Sequence, residues 1–249
     1  MDKALDSEDI SLFNRAFEAD PKNQLALNAV TMTGIGPASL NRQILADASH
    51  TFSHLIETQE ATDQKKSGRC WLFAGLNTLR HASMRVLNVE QFEFSQAYLM
   101  FWDKLEKANF FIENMIETRD EPLDGRLVMW LLANPLPDAG QWDMFVNLVK
   151  KYGVVPKNEM PETESSSQSA SMNEILLAKL REYAKEIREM NSQGASLDLM
   201  RKRKQELLTE FYRMLAIHMG IPPRSFTWEW RDKDRVFHSV LHKHLRLNT

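Results

Sequence analysis

Between residues 70 and 87 the chain carries Trp71, Leu72, Phe73, Leu76, Leu79 and Met84 with neither proline nor a cluster of turn residues. Apolar side chains over so much of a helix's girth cannot face water on any broad side, so the pattern predicts a buried central helix over 70–87 with other elements packed around it. A chain of 249 residues that is 43% apolar has the material for such a core, in one or two domains.

The remaining elements also read mainly as helix. Ile10, Leu12, Phe13 and Phe17 have helical spacing from Asp9 to Glu18, stopping before Pro21. Ser95 is placed to N-cap a long helix through Leu99, Phe101, Trp102, Leu105, Phe110, Phe111 and Met115. Two shorter helices, 126–133 and 141–152, are punctuated by Pro135, Pro137 and Gly153. From Pro156 to Ser171 the composition shifts to Pro161 and the run Ser165-Ser-Ser-Gln-Ser169, which reads as a loop or hinge. Two strongly charged helices follow, 172–191 and 197–219, joined at Gly194 as an antiparallel hairpin. Phe226, Trp228 and Trp230 alternate with Thr227 and Glu229, the period of a short strand.

Chemistry concentrates in Gln64-Lys-Lys-Ser-Gly-Arg-Cys70-Trp71, which sets the single cysteine at the mouth of the apolar helix. A thiol there meets the positive end of the helix dipole, which favours thiolate and hence a nucleophile. Gly68 permits a tight turn just before it. Gln64, six residues upstream, is placed to fold its side-chain amide beside the Cys70 N–H as a pair of oxyanion donors.

Other clusters have plainer readings. Taken alone, a single cysteine is more often a small buried hydrophobe than a nucleophile. Trp71 reads as a packing residue, and His54 and His81 as ordinary surface or helix-face residues. Arg201-Lys-Arg-Lys204 resembles a nucleic-acid patch but lies among Leu199, Met200, Leu207 and Leu208 at helical spacing, as a solvated helix face does. His238 and His242, one turn apart if helical, and His244 lack a further ligand at recognised spacing, so no metal or cofactor is expected. A net charge of −3 gives no general attraction to nucleic acid or anionic membranes. No apolar run approaches a membrane span or a signal peptide, and one cysteine excludes an internal disulfide; the expected setting is cytoplasmic.

The run Ser67-Gly68-Arg69-Cys70-Trp71, with Gln64 before it, resembles the papain-like cysteine peptidases, and within them the bleomycin hydrolase family of cytosolic aminopeptidases, the aminopeptidase C type. It departs from the Cys-Gly-Ser-Cys-Trp of papain and the cathepsins. The resemblance continues through Glu93-Phe-Ser-Gln-Ala-Tyr98, Phe101-Trp-Asp-Lys104, Asp124-Gly-Arg126, Gly140-Gln-Trp-Asp-Met144, Lys151-Tyr-Gly-Val154 and Phe226-Thr-Trp-Glu-Trp-Arg-Asp-Lys-Asp234, and lapses near Arg235. It implies a mainly α fold, the helical lobe of a papain-like α+β peptidase. Residues 1–160 form that lobe, 161–225 an inserted helical hairpin, 226–235 a short strand of the family fold, and 236–249 a tail outside it. It implies a cytosolic homohexamer acting on peptides with a free N-terminus, with Cys70 as nucleophile, Gln64 in the oxyanion hole and an acyl-enzyme intermediate.

The family also uses a histidine and an Asn-Ser-Trp type asparagine from a β-rich lobe, and no such segment occurs in these 249 residues. The expectation is the first half of such an enzyme, with its β-rich lobe missing and an apolar face left to associate. Such a chain is an alkylatable thiol protein with negligible turnover, since losing one triad member costs on the order of a million-fold in a serine protease. The alternative is an inactive isoform that binds full-length subunits and alters their assembly.

Overall fold

The computed structural model describes residues 4–49, 51–54, 56 and 60–243. The chain forms two compact units, Met1–Glu57 and Thr58–Thr249. In the first, α1 (Ser7–Glu18) opens with a capping box: the Asp6 carboxylate accepts from the backbone N–H groups of Glu8 and Asp9, and the Asp9 carboxylate accepts from that of Asp6. The unit continues with α2 (Pro21–Thr33), α3 (Ile35–Ser39) and α4 (Arg42–Asp47). The apolar pattern shows only α1. In α2, Leu25, Leu27, Val30 and Met32 are spread around the helix and none is buried, so periodicity is silent. Its signal is instead the N-cap Asp20 followed by Pro21 at the first helical position.

The second unit is built around α6 (Gln96–Glu117), which is buried along its length from Gln96 to Ile116. Ser95 caps it as expected, accepting from the Tyr98 N–H at 3.0 Å. The helix carrying the cysteine, α5 (Cys70–Leu87), has the predicted bounds but not the predicted burial. Only Leu72, Phe73, Gly75 and Leu76 are enclosed, and Val86 is 86% exposed. The central helix is therefore α6: α5 packs through its N-terminal half, and Leu79 and Met84 farther along are only partly covered. Two shorter helices, α7 (Arg126–Ala133) and α8 (Trp142–Tyr152), also pack on α6.

The expected loop 156–171 is instead ordered as a 3-10 turn, Lys157–Glu159, and a single helical turn, α9 (Glu164–Ser167). The serine-rich composition that suggested a linker caps that turn, because Thr163 and Ser166 exchange side-chain to backbone hydrogen bonds. The hairpin follows as α10 (Ala170–Ser192) and α11 (Leu197–Met219), with Gly194 at φ +79° in the turn. Met172, Leu176 and Leu180 from α10, with Leu207, Phe211 and Leu215 from α11, are buried in the same core as α6.

Strand β1 (Ser225–Arg231) pairs antiparallel with β2 (Phe237–Lys243), Phe226 opposite His242 and Trp230 opposite His238. The second strand lies in the segment expected to leave the fold. The strands join through a turn in which Arg235 has φ +64°. They dock on the C-terminal end of α5, where Trp230 Nε1 donates to the Leu87 carbonyl at 3.3 Å and Asn88 Nδ2 to Asp234 at 2.8 Å.

Candidate active site

Cys70 is the first residue of α5 and is exposed. The loop before it closes on itself: Gln64 Nε2 donates to the Ser67 carbonyl at 2.7 Å, and Ser67 Oγ donates to the Gln64 carbonyl at 2.6 Å. Lys65, between them, sits in the left-handed region at φ +54°. Asp63 holds it there, accepting from the Lys65 backbone at 2.8 Å and from its ammonium at 2.8 Å. That hydrogen-bonded pairing lowers the Asp63 carboxyl and raises the Lys65 ammonium relative to their ordinary values. Gln64 thus closes a turn over residues 64–67 with its amide resting on Ser67, and Cys70 follows three residues later at the start of α5.

Three attachments fix this turn. Lys66 pairs with the segment leading into α10, its N–H donating to the Ser167 carbonyl at 2.9 Å and its own carbonyl accepting from Ser169 at 3.3 Å. Arg69 points inward, forming a two-pronged ion pair with Glu162 at 2.9 and 2.8 Å. The segment before α8 packs from the other side, where Trp71 Nε1 donates to the Asp138 carbonyl at 3.0 Å.

Asp138 is the hub of that third attachment. Its carboxylate accepts from Lys104 Nζ at 3.0 Å and from Asn173 Nδ2 at 3.3 and 3.4 Å. It also lies so close to Gly68 that a Cβ there would sit 2.5 Å from Asp138 Cγ and Oδ2. Gly140 faces the Trp71 ring in the same way, with 2.5 Å left for a Cβ. Both glycines are close-approach positions, a different reason from the tight turn that the sequence suggested for Gly68.

Nearby, Lys107 Nζ donates to Asp103 at 2.9 Å and to the carbonyls of Pro137 and Ala139 at 2.6 and 3.0 Å, and lies 5.4 Å over the Trp71 ring. Burial pushes the Asp103 carboxyl up and the Lys107 ammonium down, each opposed by the attraction of the other. The pair lines a largely apolar cavity of about 550 Å³ with Phe110, Trp130, Pro137 and Met144, and neither Cys70 nor Gln64 reaches it.

None of Arg69, Glu162, Asp138, Lys104 and Asn173 is legible as a site residue in the sequence. Arg69 at least stands within the cysteine motif, whereas Glu162 meets Arg69 from 93 positions along the chain, Asp138 meets Trp71 from 67, and Lys104 and Asn173 meet Asp138 from 34 and 35.

Among the described histidines of the second unit, three are engaged elsewhere and the fourth stands apart from Cys70. His81 is eleven residues along α5 from Cys70, a rise of about 16 Å. His218 Nδ1 is hydrogen-bonded to Ser165 Oγ at 3.0 Å. His238 pairs with Asp232 at 2.9 Å and stacks on Trp230, and His242 stacks on Phe226. His238 and His242 lie on a strand rather than a helix, which separates them by about 13 Å instead of one helical turn. His244 lies outside the described residues. His54, in the first unit, contacts Ser53 Oγ at 3.0 Å.

The basic run 201–204 is largely neutralised in place. Arg201 reaches Glu113 and Glu117, Arg203 reaches Glu186 and Glu206, and Lys204 reaches Glu113. No described helix is long and apolar enough to cross a membrane.

This arrangement, a lone exposed thiol opening a helix behind a glutamine-bearing turn, occurs in a chain whose residues 4–245 match the model of the Peptidase C1-like family; the chain belongs to that family. The match runs past Arg235, where the motif-level resemblance ends. The chain is 42% identical to bleomycin hydrolase of Mus musculus over 240 residues, covering 95% of this chain and 53% of the mouse protein. It is likewise 42% identical over 238 residues to aminopeptidase C of Lactobacillus delbrueckii subsp. lactis, covering 96% of this chain and 53% of that protein. Its fold superposes on the crystal structure of PepW from Lactobacillus rhamnosis with a TM-score of 0.91 at 41% identity, over 99% of this chain and 55% of PepW. The chain therefore spans about half the length of these relatives.

Proposed function

We propose that this chain carries the nucleophile-bearing half of a cysteine aminopeptidase site of the bleomycin hydrolase and aminopeptidase C kind. The observation that carries the reading is the single cysteine, exposed at the first residue of α5 in a chain of this family. Cys70 Sγ attacks the carbonyl of the N-terminal residue of a peptide, forming a tetrahedral intermediate that collapses to a thioester with loss of the amine. The Cys70 N–H, one of the orphan donors that open a helix, stabilises the oxyanion. Gln64 supplies a second donor: its amide nitrogen has two hydrogens, and the bond to Ser67 uses one.

The general base is the part these residues leave open. Of the described histidines of the second unit, His218, His238 and His242 are held in the contacts given above and His81 stands about 16 Å along α5 from Cys70, so the imidazole that activates Cys70 and protonates the leaving amine comes from a β-rich lobe that these 249 residues do not include, and by themselves they turn over very slowly. Apolar side chains exposed on α7 and at the start of α8, Leu127, Met129, Trp130 and Trp142, favour association into a homo-oligomer of the hexameric type expected from the resemblance. A lone thiol suits a reducing compartment such as the cytoplasm.

The test is hydrolysis of fluorogenic aminoacyl amides by the chain alone and by the chain joined to the second half of a relative, each beside Cys70→Ser. Thiol-dependent turnover in the joined protein, lost in Cys70→Ser, is the expected result. A joined protein that folds, has Cys70 accessible to alkylation and yet gives no turnover would sink the reading. Turnover by the chain alone would instead mean that one of its own histidines serves as base.

A further inference from the structure

We infer that Arg69 and Glu162 act as a pair that positions Cys70 and sets the charge it meets, an inference that rests on Cys70 being the nucleophile proposed above. Arg69 occupies the N-cap of α5, yet its side chain does not cap the helix. It is 3% exposed and fully engaged: Nε donates to Ser67 Oγ at 2.8 Å, Nη1 and Nη2 reach the two oxygens of Glu162, and the guanidinium lies 5.1 Å over the Phe73 ring. Glu162 Oε2 also accepts from Ser166 Oγ at 2.6 Å. The residue that precedes the thiol is thereby tied to the segment that leads into the hairpin.

Burying an ion pair is a poor way to gain stability, because desolvation offsets most of the attraction; what a two-pronged pair supplies is a defined geometry. Here that geometry is imposed on the peptide entering the nucleophile helix. Its second effect is electrostatic. An unpaired guanidinium one residue from Cys70 would favour anions at the thiol, and Glu162 cancels that charge locally. The charge balance beside the nucleophile is thus set from a residue 93 positions away.

Because the chain has one cysteine, alkylation reads this site directly, whether or not peptide turnover occurs. The measurement is the ratio of the rate with anionic iodoacetate to that with neutral iodoacetamide, at fixed pH. Glu162→Gln should raise the ratio about threefold and Arg69→Gln should lower it by about as much, the effect of one unit charge several ångströms away at a water-like dielectric. The double variant should return to the parent ratio. A purely structural role would change both rates together and leave the ratio unmoved, so single variants with the parent's helical circular dichroism and an unchanged ratio would overturn the inference.

Should the single variants fail to fold, Glu162→Asp keeps the charge but shortens the reach. It should speed amide hydrogen exchange selectively at residues 66–73, and unchanged exchange there would equally overturn it. Failure of the peptidase reading shows elsewhere, as absent turnover with these ratios intact.

Discussion

Replacing Gly68 by alanine tests how tightly the nucleophile turn is packed. The new Cβ would lie 2.5 Å from Asp138 Cγ and Oδ2, and closer still to its Cβ. That is about 1 Å inside normal carbon contact. Asp138 cannot swing aside freely, because it accepts from Lys104, whose side chain is 1% exposed. Overpacking costs about 1–3 kcal/mol when neighbours shift, whereas stranding a buried charge costs about 3–5 kcal/mol. The chain will take the cheaper path, which sets the expected loss at about 2–3 kcal/mol, or roughly 5–10 °C in melting temperature for a unit of this size. Thermal melts followed by far-ultraviolet circular dichroism would measure it. Gly68→Ala combined with Asp138→Gly removes the clashing Cβ, so the two losses should fall short of additive by about 1 kcal/mol or more. A Gly68→Ala melting temperature within about 1 °C of the parent, or strict additivity in the double variant, would refute the packing argument.

Gly140→Ala and Gly75→Ala place a Cβ 2.5 Å from the Trp71 ring and 2.6 Å from the Phe145 ring. Each should destabilise by about 1–3 kcal/mol in denaturant titrations, and only Gly140→Ala should also alter the rate of Cys70 alkylation. Burial pushes the Tyr98 phenol from 10.0 up to about 12, and its hydroxyl donates to the Tyr152 carbonyl at 2.7 Å. The unfolded chain therefore loses this proton first, and the contribution is whole below pH 10 and declines as pH rises through about 12, by about 3 kcal/mol in all. Urea midpoints across that range, with tyrosinate absorbance, would show it, and a flat profile would count against the burial argument. Since Arg201, Arg203 and Lys204 are already paired with glutamates, duplex DNA should show no steeply salt-dependent binding.

What local pattern controls was open to reading. The bounds of α5, α6, α7 and α11 follow from apolar spacing and, for α6, from the cap Ser95, each of which acts within a turn or two of the chain. The nucleophile candidate is equally local, since Gln64, Gly68 and Cys70 lie within seven residues. Where pattern misled, a longer-range effect had prevailed. The serine-rich stretch reads as a linker by composition, yet its hydroxyls cap α9 and its Ser167 carbonyl binds Lys66. The apolar girth of α5 predicts a buried centre, but only its N-terminal half finds partners, and Cys70, the first residue of that half, is still exposed.

The sequence by itself therefore determined a helical chain with one thiol at the start of a helix and a motif of the cysteine peptidases, because helix spacing, caps and short motifs depend on neighbours along the chain. Tertiary structure alone decided what holds that thiol. Glu162, Asp138, Lys104 and Asn173 come from distant segments. Nothing in their own surroundings marks them, since an ion pair or a close contact with glycine exists only once packing has brought both partners together.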